Sequence, residues 1–382
     1  MSHFLKNKAA IAGIGLTEFS KKSGVSELSL AAQATLAACQ DAGLHPSAID
    51  GFVSYTLDST DEIELARAVG AGDLKLFTKV NYGGGAAVGT ILHAVMAVAT
   101  GVADNVICYR AMNGRSGQRM GQGISGQIVS SDLVHWSWYM PYGMLTPGSW
   151  IAMIANKYMQ HYGVTAEDLG RVAISQRNYA QSNPRSFFHG KPLTMEDYLA
   201  SKMIADPLRL YDFCQETDGG CAILVTSAER ARDLQQKPAI IRGVVQASTR
   251  GQEQMTSYYR DELDSLPEME MAARLVYEQS GLGPNDINAA CLYDAFTSEV
   301  IMQLESFGFC GRGEGALDID GRLPNNTHGG LLSEAYIHGM NSIAEGARLV
   351  RGTSTSQPEG VEHVLVSSGV GVPTGALILG RD

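Results

Sequence analysis

Short apolar runs alternate along this chain with longer stretches whose apolar residues recur at helical spacing. The first run, Ala9–Gly15, reads as a buried strand. Ser29–Asp41 and Met269–Gln279 are alanine-rich amphipathic stretches that predict helices. Each is followed by a glycine that ends the helix, a proline that blocks its continuation and a further apolar run that predicts a strand. The same strand signal recurs at Pro238–Val245.

These elements repeat. Ala42–Tyr55 (AGLHPSAIDGFVSY) matches Ser280–Tyr293 (SGLGPNDINAACLY). Downstream, His93–Gly101 resembles His338–Gly346, and the same alignment lays Gly84–Gly85 over Gly329–Gly330. Two halves of shared ancestry follow, residues 1–237 and 238–382, each in strand–helix–strand order. The first half carries an insertion over about residues 112–207, rich in Gly, Ser, Tyr and Trp, with helical stretches at Pro147–Tyr162 and Thr165–Ser182. Such insertions carry substrate contacts or are solvated excursions, and the pattern leaves both open. Within it, Met140–Pro147 reads either as a wall for a large apolar group or as a simple loop.

With 382 residues, 45% hydrophobic and 18% charged, the chain has ample core for a duplicated domain. A net charge of −11 argues against a nucleic-acid partner and offers no basic footprint for a membrane surface. No apolar run is long enough to span a bilayer and no cleavage signal is evident, so a cytoplasmic location is expected. The six cysteines lack metal-ligand spacing, so neither a metal site nor a disulfide framework is expected.

Two loops carry the chemistry: Tyr293-Asp294-Ala295-Phe296, and His328 to Gly339 (HGGLLSEAYIHG). With Asp218–Ser227, Lys79–Gly85 and Val364–Gly371, they resemble the thiolase superfamily, in its sterol-carrier-protein or lipid-transfer-protein branch. The resemblance covers nearly the whole chain. It implies a duplicated, five-layered α/β/α/β/α fold with two mixed sheets. It also aligns Gly84 with the nucleophilic cysteine, Ser367 with the second cysteine, and Tyr336 with the histidine of the Gly-His-Pro loop. A Claisen thiolase needs an acyl-cysteine, which Gly84 cannot form and Ser367 is too weakly acidic to replace.

Members of this branch with Tyr-Asp-x-Phe and a second-loop tyrosine are retro-aldolases of steroid side-chain degradation. They cleave a β-hydroxyacyl-CoA to a ketone and a shorter acyl-CoA, using no cofactor beyond the substrate's coenzyme A. The resemblance therefore implies Tyr293 as base and Tyr336 as proton donor, with the reverse left open. A phenol base would need its pKa drawn down by hydrogen bonding. Gly84 and Gly85, entering a helix, would offer an oxyanion site. His338, His328, Asp294 and Ser367 are possible supporting residues: Asp294 would orient backbone, His338 would tune Tyr336 or close a helix start, and Asn81-Tyr82 could border the acyl group. A homodimer is implied, with an OB-fold partner completing a heterotetramer. Two alternatives stand beside this reading: a non-catalytic acyl-CoA-binding subunit, and an acyltransferase using Cys291 or Cys310.

Overall fold

The computed structural model describes residues 3–81, 83–117, 119, 137–253, 258–319, 321, 323–369 and 374–382. Tyr82 therefore lies outside the described residues, as do parts of the insertion and Gly371.

The first half opens with β1 (Ala9–Leu16), α1 (Glu27–Ala42), β2 (Gly51–Tyr55) and α2 (Glu62–Val69). It continues with β3 (Leu76–Val80), α3 (Ala86–Thr100) and β4 (Asn105–Asn113). The insertion contributes α4 (Pro147–Tyr162), α5 (Ala166–Ser182), α6 (Met195–Ala200) and the small ribbon β5 (Met203–Ala205) with β6 (Leu208–Arg209). β7 (Asp218–Ser227) and α7 (Ala228–Ala231) close the half. The second half runs β8 (Ala239–Ala247), α8 (Pro267–Ser280), β9 (Ala289–Cys291) and α9 (Thr297–Ser306). It ends with α10 (Gly330–Ser333), α11 (Met340–Arg351), β10 (His363–Ser368) and β11 (Thr374–Gly380).

The strand order is β3-β2-β4-β7-β1-β8-β11-β10-β9. Its two wings mirror one another about the β1–β8 seam, and a bridge from Ala290 to Asn325 stands where β3 pairs with β2. The seam itself is short: Ala10 pairs with Ile240 and Ile11 with Ala239. The two mixed sheets of the thiolase fold are thus joined edge to edge in this chain. Helix α1 covers β1, β4 and β7 on one outside, and α8 covers β8 and β11 on the other. Between the wings lie α3 and α11, which touch strands of both. That arrangement gives five layers; both middle helices are buried, α3 along an apolar length and α11 with Asn341, Glu345 and Arg348 among its buried residues.

The elements form where the pattern predicts. Ser26 caps α1 and Gly43 ends it at φ 68°; Pro267 opens α8 and Gly281 ends it at φ 70°. The second internal match does not hold. His93 lies inside α3, whereas His338 precedes α11, and the residue ending α11 as Gly101 ends α3 is Gly352, not Gly346. Composition misled the alignment: Gly346 sits mid-helix because Val366 and Leu379 leave its face no room for a side chain.

The described part of the insertion is packed rather than solvated. α5 lies on α9 and α10, and buried residues of α4 and α5 join the core of the second half. Arg177 Nε donates to Ser333 Oγ at 3.0 Å, and Asn183 Nδ2 donates to the His328 carbonyl and to Glu334, each at 2.9 Å. The segment from 140 to 147 is a single turn with Tyr142 and Leu145 exposed, followed by the start of α4.

Candidate active site

The site forms where the N-termini of the two central helices, α3 and α11, meet the ends of β9 and β10. Tyr293 follows β9 and is held by a closed ring of hydrogen bonds. Its N–H donates to Ser367 Oγ at 2.8 Å, the Ser367 hydroxyl donates to Gln303 Oε1 at 2.6 Å, and Gln303 Nε2 donates to the Tyr293 carbonyl at 2.7 Å. All three residues are buried, so each bond is shielded from water. Ser367 is therefore a positioning residue behind the Tyr293 backbone.

Tyr336 approaches from the other loop. Its N–H donates to Thr217 Oγ1 at 2.9 Å, which ties it to the start of β7. The two phenols meet with their Oη atoms 2.9 Å apart and their rings nearly perpendicular. Gly84 lies directly under the pair. A Cβ built there would stand 1.8 Å from the Tyr293 hydroxyl and 2.1 Å from Cζ. Gly339 is similarly constrained, with φ 83° and a Cβ position 3.1 Å from the Tyr293 ring.

Burial pushes both phenols above the ordinary tyrosine range. The expected lowering is thus reversed: without substrate, neither phenol is a ready phenolate. In the bond they share, either hydroxyl can be the donor.

Asp294 is fully buried, and its carboxyl accepts from Leu331 N–H at 2.8 Å and Leu332 N–H at 3.0 Å. It thereby ties the Tyr293 loop to the second loop. His328 is brought to Asn183 and Glu334 rather than to the phenols, its Nε2 lying 3.9 Å from Glu334 Oε2. It is buried behind the loop, which removes it from the set of groups facing the pair. His338 lies beside Tyr336, the ring centroids 4.9 Å apart. Among the glycine-turn donors, Ala86 N–H is engaged by the Gly83 carbonyl and Val88 N–H by Ser368 Oγ.

Neither alternative cysteine is prepared for nucleophilic attack. Cys291 is fully buried with its thiol pushed well above the usual range, and the half-buried Cys310 thiol is pushed up to about 12. Among the described residues no group of three or more His, Cys, Asp or Glu is placed to hold a metal ion. No helix of the described residues is long and apolar enough to cross a membrane.

Three residues of the site escape a reading of loops. Gln303 lies on α9, ten positions beyond Tyr293. Arg110 is a lone cation inside the apolar strand β4, a visible signal because an unpaired buried charge is costly. Cys214 lies near both phenols, its own thiol pushed well above the usual range by burial.

The chain is 55% identical over 387 residues to a steroid side-chain-cleaving aldolase of Thermomonospora curvata, covering 99% of each. It belongs to the thiolase superfamily, in the branch of these aldolases. It is also 54% identical to a 17-hydroxy-3-oxo-4-pregnene-20-carboxyl-CoA lyase of Mycobacterium tuberculosis, covering 98% of this chain and all of that one. Residues 250–381 match the thiolase C-terminal domain-like family. A solved structure of the Ltp2-ChsH2(DUF35) aldolase superposes with a TM-score of 0.95 at 54% identity, covering 99% of each chain. Human mitochondrial 3-ketoacyl-CoA thiolase superposes at 0.69 with 16% identity and shares the fold. As a member of this aldolase branch, the protein is a carbon–carbon lyase acting on acyl-CoA thioesters.

Proposed function

We propose that this lyase performs a retro-aldol cleavage of a β-hydroxyacyl-CoA, with Tyr293 and Tyr336 acting as one proton relay. The observation that carries the reading is the 2.9 Å contact between their hydroxyls above a glycine that removes any nucleophile. The lyase relative supports the substrate class. In its name, a 17-hydroxyl lies β to the carbonyl of a 20-carboxyl thioester, as a retro-aldol cleavage requires.

A relay needs no ionised phenol at rest. The β-hydroxyl passes its proton to Tyr336 Oη, Tyr336 passes its own to Tyr293, and Tyr293 delivers one to Cα. The electrons of the alcohol O–H become the second bond of the ketone. Those of Cα–Cβ enter the thioester enolate and return as the new Cα–H bond. This direction places the base role on Tyr336, the less buried member of the pair. The N-termini of α3 and α11 favour the transient enolate charge. The reaction requires no cofactor beyond the coenzyme A of its substrate. A steroid side chain is the proposed acyl group. A partner bearing an OB-fold is proposed at the entrance of a homodimer, giving a heterotetramer.

The test is incubation of the full chain and such a partner with a β-hydroxyacyl-CoA carrying a tertiary alcohol. Ketone and a shortened acyl-CoA are expected by mass spectrometry. Thioester exchange would turn the reading to an acyltransferase, and binding without turnover to a scaffold.

A further inference from the structure

We infer that His338 is a third catalytic group, donating from Nε2–H to the thioester oxygen as the enolate forms. This rests on the retro-aldol reading, in which negative charge must develop on that oxygen.

The tautomer is settled by the neighbours. Arg110 Nε donates to His338 Nδ1 at 3.0 Å. A guanidinium has only donors to offer, so Nδ1 must accept, and the single proton of the neutral ring sits on Nε2. Arg110 is itself fixed: its Nη1 donates to Asp58 Oδ2 at 3.0 Å and to the Ala111 carbonyl at 2.9 Å. Asp58 is held in turn by the N–H groups of Thr60 and Ala111, at 3.0 and 3.1 Å. The whole chain Asp58–Arg110–His338 is buried. A second proton on the ring would face the Arg110 N–H, and both burial and Arg110 hold the imidazole well below its usual pKa. A neutral imidazole kept in this way is a donor rather than a base.

The backbone is arranged around the same ring. His338 adopts φ 49°, a left-handed conformation uncommon outside glycine. Its carbonyl accepts from the Tyr55 hydroxyl at 3.2 Å, and its ring stacks on Tyr55 with centroids 6.0 Å apart. Strain of this kind persists where surrounding contacts over-determine it. The result is a ring edge aimed at the glycine turn. His338 Nε2 lies 3.5 Å from the position a Gly83 Cβ would take, and the Tyr293 hydroxyl 1.8 Å from that of Gly84. Adjacent glycines thus present two donors side by side. A thioester enolate carries its oxygen and its Cα on one carbon, so each donor has its own terminus to meet.

The test compares His338→Asn and His338→Gln in the full chain, with the partner protein where parent turnover needs it. Asn tolerates a left-handed backbone and its Oδ1 can still accept from Arg110, so it removes the Nε2–H donor. We expect kcat to fall on the order of 10²-fold or more, with KM and thermal midpoint little changed. Gln, whose amide nitrogen reaches the place of Nε2, restores part of the loss. A second readout is exchange of Cα hydrogens of a short acyl-CoA with deuterium from solvent, which His338→Asn should slow in parallel. Turnover of His338→Asn within three-fold of the parent overturns the inference. If that variant does not fold, a His338→Gln enzyme that folds but shows no more than background exchange overturns it instead. Tyr336→Phe run alongside separates the readings: loss there with an active His338→Asn removes only His338, and activity in both removes the relay as well.

Discussion

The hydroxyl of Tyr293 fills the space in which a side chain on Gly84 would begin, at 1.8 Å from that Cβ position. The tyrosine and the glycine are therefore one structural decision. A phenol occupies this space, and only a residue without a side chain leaves room for it.

Gly84→Ala should be destructive although it adds one methyl group. Overpacking of a tight site costs about 1–3 kcal/mol, and relief requires Tyr293 to swing away from Tyr336. Denaturant unfolding should show that loss, and turnover should fall at least ten-fold. A Gly84→Ala enzyme with parental activity would show that the 2.9 Å phenol contact is dispensable.

Tyr293→Phe and Tyr336→Phe each remove one hydroxyl and keep the ring. Each should lower kcat by roughly 10²-fold or more, the usual scale of acid–base catalysis. Because a relay is broken by one missing link, the double variant should be little worse than either single one. Cys291→Ala and Cys310→Ala should stay within a few-fold of the parent. Additive losses in the tyrosine pair would argue for two independent roles, and an inactive Cys291→Ala would revive an acyl-cysteine.

Much of this was legible in the residues. Gly-Leu-x-Pro after each of two alanine-rich helices marks the duplication, because a glycine end and a proline block are local devices. Tyr293 and Tyr336 were visible by their loops. The pairing of Arg110 with Asp58 and His338 was not, since three distant segments meet only in the folded protein. The raised phenols were also hidden: burial is a property of the assembled layers, not of the loop sequence. The His93 match failed because alanine-rich helices align with one another at several registers.

Ser367→Ala should act through Tyr293 rather than on the chemistry itself. It leaves the buried Tyr293 N–H and Gln303 Oε1 without the hydroxyl that joins them, at a cost of about 1–3 kcal/mol. Calorimetry should show the lower midpoint. Ser367→Cys, which restores a weak bridging group, should recover part of it. An unchanged midpoint in Ser367→Ala would remove the hydrogen-bonded ring from the account.

Acid stability should report His338. Its folded pKa lies well below the unfolded value near 6.5. Below that pH the unfolded chain binds a proton that the native one refuses, so stability is full above pH 6.5 and falls as the pH drops beneath it. The slope is at most about 1.4 kcal/mol per pH unit for one proton. The buried Asp294 and Glu299 carboxyls, both raised, work in the opposite sense, so the difference between parent and His338→Asn isolates the imidazole. That difference should be flat above pH 7 and change between pH 6.5 and 5. Parallel curves throughout would place a protonated imidazole in the native state.

The edge of the sheet predicts a homodimer. Among the described residues, strand β3 is the last in the order and pairs only with β2, which leaves its other backbone edge without a strand. Phe77 on it is 58% exposed, and Leu57, Ile63, Met96 and Val102 are exposed in the neighbouring segments of the same half. Apolar exposure beside an open strand edge is what a two-fold partner would cover. Sedimentation at micromolar concentration should give a dimer, and Phe77→Lys should shift it toward monomer without unfolding the chain. The decisive comparison is therefore parent against Phe77→Lys: a monomeric parent, or a variant that dimerises as tightly, would move the interface away from β3.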